Sequence, residues 1–134
     1  MSGGTMPRDL PITETKVVEF LKRFEDASAT GLFINVTGMI HPNALFRFND
    51  GDYRGLEAIQ HAFESTWAQD VKDERYYLSD IEVVSVDTSS AAATFHFNWS
   101  GVGPHGPFQV VGRGTCLLVL HDGRLKVMVE HLSR

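Results

Sequence analysis

Cysteine is almost absent from these 134 residues. Cys116 stands alone, which rules out an internal disulfide and suits a reducing, cytoplasmic setting. Basic residues form no cluster beyond Lys22-Arg23, and the formal charge is −5, so nucleic acid is not expected as a partner. No apolar run approaches the roughly 18 residues of a membrane helix, so no membrane partner is expected either. The opening Met-Ser-Gly-Gly-Thr-Met-Pro lacks a charged stretch followed by an apolar one; residues 1–14 read as a flexible lead-in rather than a signal peptide. The six histidines (41, 61, 96, 105, 121 and 131) are scattered, with no His-x-His or His-Glu-x-x-His, and no metal is expected. A nucleophile elbow is missing. So is a phosphate loop, because Gly101-Val-Gly-Pro-His-Gly joins two strands rather than a strand to a helix. No cofactor is expected.

What is present reads as one globular domain over residues 15–134, with an ordinary 43% of hydrophobic residues. Val17, Phe20, Leu21 and Phe24 fall at the spacing of a helix with one buried face, predicted over residues 15–29 with Thr13 or Thr15 as its cap. A short helical turn over 34–39 must end before His41-Pro42, since a residue preceding proline avoids the α region. Residues 43–48 read as a short strand, 49–51 as a turn, and Tyr53-Arg54 as the stub of a return strand. Gly55 opens a second helix carrying Leu56, Ile59, Phe63 and Trp67 on one face. The period then changes to two. Long strands are predicted over 76–87, 91–100, 108–120 and 124–133, with residues 101–107 as a seven-residue Gly/Pro-rich loop. Helices in the first half and strands in the second mean an α+β domain: two long helices and a short one on the concave face of a strongly bent, mostly antiparallel sheet.

The closing strand pair decides which side chains share a face. His121-Asp122-Gly123 is read as a type I turn with a Gly bulge, pairing Leu120 with Arg124; a two-residue Asp-Gly turn is the rival, one residue out of step. The first register puts Gly112, Gly114, Cys116, Leu118, Leu120, Lys126, Met128, Glu130 and Leu132 on one face. It puts Arg113, Thr115, Leu117, Val119, Leu125, Val127, Val129, His131 and Ser133 on the other, with Arg113 opposite His131. Both stripes are too apolar for water. Since the helices can cover one face only, the second is expected to pair with another copy. Burying Leu117, Val119, Leu125, Val127 and Val129 would contribute on the order of 5–10 kcal/mol before association costs. A homodimer through the sheet face is the expected partner.

This order of elements, together with Gly51-Asp-Tyr-Arg-Gly55-Leu-Glu-Ala-Ile59, Gly112-Arg-Gly-Thr115 and Asp122-Gly-Arg-Leu-Lys-Val127 running into Glu130-His-Leu-Ser133, resembles the SnoaL-like branch of the nuclear transport factor two-like (cystatin-like α+β) superfamily. The resemblance covers nearly everything from about residue 15 onward. It implies a cone-like domain whose bent sheet wraps around the helices and leaves a pocket open at one end. It also implies a range of roles, from cyclases, ketosteroid isomerases, epoxide hydrolases and dehydratases to non-enzymatic association domains. The isomerases carry a carboxylate at the end of the first strand. The matching stretch here is Phe46-Arg-Phe-Asn49, with no acid until Asp50 in the turn. Their acidic oxyanion donor would fall near Thr115 or Cys116.

The first stripe should line the pocket, where Gly112 and Gly114 either let the sheet bend or leave room for a ligand. The expected lining is Phe63, Trp67, Phe97, Trp99, Cys116 and Met128, with Glu130 the sole carboxylate of the last strand and the candidate catalyst. A carboxyl among aromatics resists ionisation, which moves its pKa toward the range of general acid–base work. The competing reading places Glu130 at the rim, solvated or paired with Lys126. Cys116, mid-strand among aliphatics, reads as an inert core thiol as well. Arg113, Thr115, His131 and Ser133, joined by His96 and Asn98, are expected to form a polar patch in the subunit interface. Two functions follow: a cofactor-independent acid/base isomerase, cyclase, dehydratase or hydrolase acting on a small apolar ring-containing ligand, or a non-catalytic ligand-binding or association module.

Overall fold

The computed structural model describes residues 10–134. Most of the glycine-rich lead-in lies outside the described residues; within them, Ile12 is packed into the core and Thr13 caps the first helix. Helix α1 spans Glu14–Ala29, and the Thr13 hydroxyl accepts the Lys16 N–H at 3.1 Å, filling one of the unsatisfied donors of the first turn. Its buried face is Val17, Phe20, Leu21 and Phe24, as the spacing requires. A one-turn helix α2 (Ile34–Thr37) leads into strand β1 (Ile40–Phe48), hairpin-paired with β2 (Gly51–Arg54). Helix α3 (Leu56–Trp67) starts at Gly55, whose φ of 85° suits a residue without a Cβ. Four strands follow: β3 (Lys72–Val86), β4 (Ser90–Gly103), β5 (Gly106–His121) and β6 (Arg124–Ser133).

The six strands make one sheet in the order β2-β1-β6-β5-β4-β3. Only β1 and β6 run parallel; every other neighbour is antiparallel. The helices pack on one face, and Phe20, Leu21, Phe46, Ile59, Leu118 and Val127 are among the side chains wholly buried between the layers. This is the α+β architecture that the periodicity predicts. No described helix is long and apolar enough to cross a membrane.

Three readings need correction. The loop over 101–107 does not exist at that length, because β4 and β5 extend until Gly103 pairs with Gly106 and only Pro104-His105 turn. Gly101 is a strand residue: a Cβ there would lie 2.5 Å from Val71 Cγ1 and 3.0 Å from the Lys72 carbonyl oxygen, so its absence lets β3 cross closely.

The closing hairpin turns in two residues. Asp122 and Gly123 both have positive φ (54° and 77°), the geometry whose twist matches that of the strands, and His121 pairs with Arg124 and Leu120 with Leu125. Farther along, Leu118 pairs with Val127 but Leu117 with Val129, leaving Met128 as an extra residue. Because side chains alternate, this bulge swaps the faces of everything beyond it.

Leu125 (3% exposed) and Val127 (0%) therefore belong to the core, not to an outer apolar stripe, while Glu130 and Leu132 point inward past the bulge. The edge strand β3 carries three more irregularities, two of them marked by Asp73 and Asp80 at φ near 50°. Such bulges bend an edge strand and discourage pairing with another chain.

Candidate functional site

A cavity of about 640 Å³ lies between the helices and the sheet, a size typical of small-molecule sites. Phe24 and Glu25 of α1, Phe63 and Trp67 of α3, Phe48 of β1 and Tyr53 of β2 supply one side. Glu74, Tyr76 and Leu78 of β3, Phe97 and Trp99 of β4, Val110 of β5, and Glu130 and Leu132 of β6 supply the other. Exposed residues frame its mouth, among them Thr30, Gly31, Asn49, Asp50 and Arg134.

The walls are aromatic and their geometry is defined. Phe63 is the hub, in edge contact with Trp67 at 5.4 Å, Phe46 at 5.7 Å and Phe24 at 6.5 Å between ring centroids. Across the cavity Tyr76 stacks on Phe97 at 6.3 Å. The glycines of β5 explain how these rings fit. Gly112 pairs with Phe97 and Gly114 with Phe95, and a Cβ on either would lie 2.2 Å from the opposing ring. Their missing side chains make room for phenylalanine rings rather than for a ligand.

Glu130 is placed by the Met128 bulge, opposite Cys116 and beside Phe46. It is 6% exposed and lines the cavity, so neither the solvated rim nor pairing with Lys126 describes it. Among the described residues none donates a hydrogen bond or an ion pair to its carboxylate. Burial alone pushes its pKa up to about 7, where the acid and its anion coexist in neutral water. Cys116 lies behind it, outside the cavity lining, and burial pushes the thiol up to about 12, with the Glu130 charge adding to the shift. It is an unreactive core thiol. Met128, expected in the pocket, is turned away by its own bulge. Phe63, Trp67, Phe97 and Trp99 do line the cavity.

Other residues join the site without having been singled out in the sequence. Burial, then the charges of Glu130 and Glu25, hold the Tyr76 phenol well above its ordinary pKa, so it is a neutral donor close to both carboxylates. Glu25 accepts the Leu78 N–H at 2.6 Å, and Glu74 accepts the Trp99 Nε1–H at 2.6 Å. Asp50 is hydrogen-bonded to Tyr53. A signal for Glu25 existed: Val17, Leu21 and Glu25 fall at i, i+4 and i+8, so the buried helical stripe runs straight into an acid. Tyr76 could not be placed by simple pairing from the turn, since two bulges of β3, at Ser79–Glu82 and Val83–Ser85, shift the register between it and the turn.

The polar cluster does assemble on the outer face, with altered partners. Arg113 lies opposite Ser133 and His96, and Thr115 opposite His131; Arg113 does not face His131. His96 Nδ1 meets Asp80 at 2.8 Å, and Asn98 donates to Ser79 Oγ at 2.9 Å. Among the described residues no group of three or more His, Cys, Asp or Glu side chains is arranged to hold a metal ion.

This order of helices and strands around an aromatic cavity has close counterparts among solved structures. A nuclear transport factor 2-like superfamily protein from Salmonella enterica superposes with a TM-score of 0.78 at 15% identity, covering 89% of this chain and 88% of its own. The chain has the nuclear transport factor 2-like fold. Aln2 from a Streptomyces species shares that fold at the same TM-score and 17% identity, over 97% of this chain and 94% of its own. The CaMKII hub of S. rosetta does so at 0.78 and 21%, over 92% and 98%. No protein-family model matches the sequence, and no curated protein does. At these identities the likeness concerns the fold alone.

Proposed function

We propose that this protein binds a small ring-containing molecule in the Glu130 cavity and moves a proton on it without a redox cofactor. One observation carries the reading: a carboxyl group, 6% exposed and with no hydrogen-bond or ion-pair partner among the described residues, opens on an aromatic-walled cavity of about 640 Å³. With a pKa near 7, Glu130 is available in both forms. Its carboxylate takes a proton from an activated C–H or O–H of the ligand. The resulting acid returns that proton to another ligand atom or to a departing hydroxyl. Tyr76, neutral and adjacent, is the natural donor to a ligand oxygen on which charge changes during the transfer. Isomerisation, cyclisation and dehydration all fit this step, and hydrolysis fits it when the proton is taken from a water that adds to the ligand rather than from the ligand itself.

The test is proton exchange in heavy water, followed by NMR across a set of cyclic ketones, β-hydroxy ketones and epoxides. Glu130→Gln should slow any exchange or conversion by roughly 10²–10⁴-fold while the circular dichroism spectrum stays unchanged. An active Glu130→Gln enzyme would dismiss Glu130 as the proton carrier.

A second reading is favoured by the outer sheet face, where Val111 is 54% and Leu117 37% exposed beside the Arg113, Thr115 and His131 cluster. We infer that this face pairs with a second copy to form a homodimer, and the likeness to an association hub agrees with such a use of the fold. The apolar contribution is smaller than five buried side chains would supply, since Leu125 and Val127 are already spent on the core. Sedimentation showing a monomer at micromolar concentration would end this reading. It is compatible with catalysis in the cavity.

A further inference from the structure

The charges around the cavity are unbalanced. Among the described residues that line it, Glu25, Asp50, Glu74 and Glu130 are acids, and Arg134 at the mouth is the one base. Three of the acids accept a hydrogen bond from a neighbour: Glu25 from the Leu78 N–H, Glu74 from the Trp99 indole, and Asp50 from the Tyr53 hydroxyl. Glu130 has none among the described residues, although it is the most deeply buried of the four, and its carboxyl opens on the cavity instead. A charged group in that position is normally paired. Here the side facing it is cavity, bounded by the faces and edges of Phe63, Trp67, Tyr76 and Phe97. Aromatic surfaces together with carboxylates form an environment that attracts organic cations and repels anions.

We propose that the ligand of this cavity is an organic cation, a protonated or quaternary amine carried on an apolar ring, with its ammonium group beside Glu130 and its ring against the aromatic walls. This rests on the reading that the Glu130 cavity is the functional site, and it narrows the ligand class from neutral to positively charged. The bound ammonium supplies the counter-charge that the protein withholds from Glu130. It also offsets the negative charge of Glu25 and Glu74 during any proton transfer.

Both tryptophans of the chain, Trp67 and Trp99, line the cavity, so intrinsic fluorescence reports occupancy. Benzyltrimethylammonium should be titrated against its neutral isostere neopentylbenzene and against phenylacetate, with wild-type protein and with Glu130→Gln. The expected result is that the cation binds about tenfold or more tightly than the isostere, with phenylacetate weakest. Glu130→Gln should erase most of that preference while leaving the isostere's affinity unchanged. The proposal is overturned if the isostere binds as well as the cation, if Glu130→Gln retains the preference, or if the cation shows no saturable binding into the millimolar range. Should Glu130→Gln fail to fold, the wild-type comparison of cation with isostere decides alone. A neutral preference together with loss of exchange in Glu130→Gln rejects the cation and keeps the acid–base reading. Full activity in that variant rejects the acid–base reading whatever binds.

Discussion

Replacing Glu130 by Gln should change how the protein's stability depends on pH, and the size of that change follows from its burial. The side chain titrates near 4.5 when the chain is unfolded and near 7 when it is folded. A carboxyl with a raised folded-state pKa holds its proton more tightly in the native state. Its penalty is therefore absent below about pH 4, grows as pH rises, and levels off above 7. At pH 8 the unfolded chain gains about 3 kcal/mol from ionising this one group, and at pH 5 under about 1 kcal/mol. Gln cannot ionise, so any fixed cost of burying its amide is the same at both pH values. The variant should thus gain about 2–3 kcal/mol relative to wild type between pH 5 and pH 8. Urea denaturation of both proteins at the two pH values measures the difference, and the difference cancels every other titrating group. Parallel stability profiles would refute the claim that Glu130 is a buried, unpaired carboxyl, and the catalytic and ligand proposals would lose their basis.

Four further outcomes follow from the packing. Gly114→Ala should destabilise the fold by about 1–3 kcal/mol or more, because its methyl would overlap the Phe95 ring, and Phe95→Leu in the same chain should recover part of the loss in thermal melts. Cys116 should resist alkylation by iodoacetamide at pH 7 in the folded protein and react promptly in urea, as its burial and raised pKa dictate. Thr13→Ala should cost about 0.5–2 kcal/mol by removing the cap of α1, measured by chemical denaturation. Deleting Met128 should leave a folded protein in which Glu130 still titrates near 7, since the residue removed is the one without a partner across the strand.

Much of the fold was legible because its signals are local. The α1 stripe of Val17, Phe20, Leu21 and Phe24, the α3 stripe of Ile59 and its neighbours, and the Asp122-Gly123 turn each rest on a few adjacent residues. The site was only half legible. Phe63 and Trp67 could be placed because a helix keeps its period, and Phe97 and Trp99 because β4 pairs with β5 without a register shift. Tyr76, Glu74 and Asp50 could not, since they depend on where β3 is bulged and on how the β1–β2 turn folds over the cavity mouth. Bulges leave little trace in composition. Asp73 and Asp80 tolerate positive φ, yet so do many aspartates that sit in turns or at caps.

Glu130 shows how a wrong register can still give a right orientation. The three-residue turn inferred from His121-Asp122-Gly123 places Glu130 on the helix-facing side, and there it is. The structure reaches that result by a different route: a two-residue turn, which by itself would aim Glu130 outward, followed by one extra residue at Met128. Facing depends only on whether the mismatch between the strands is odd or even, whereas contact depends on its size. The inference about direction therefore survived. Those about Met128 in the pocket, Val127 on the outside and Arg113 opposite His131 did not. The bulge lets one strand serve two environments, with Leu125 and Val127 closing the core at one end and Glu130 and Leu132 lining the cavity at the other. A regular β6 continuing the two-residue turn would bury Val129 in place of Glu130 and leave the cavity without its deepest acid.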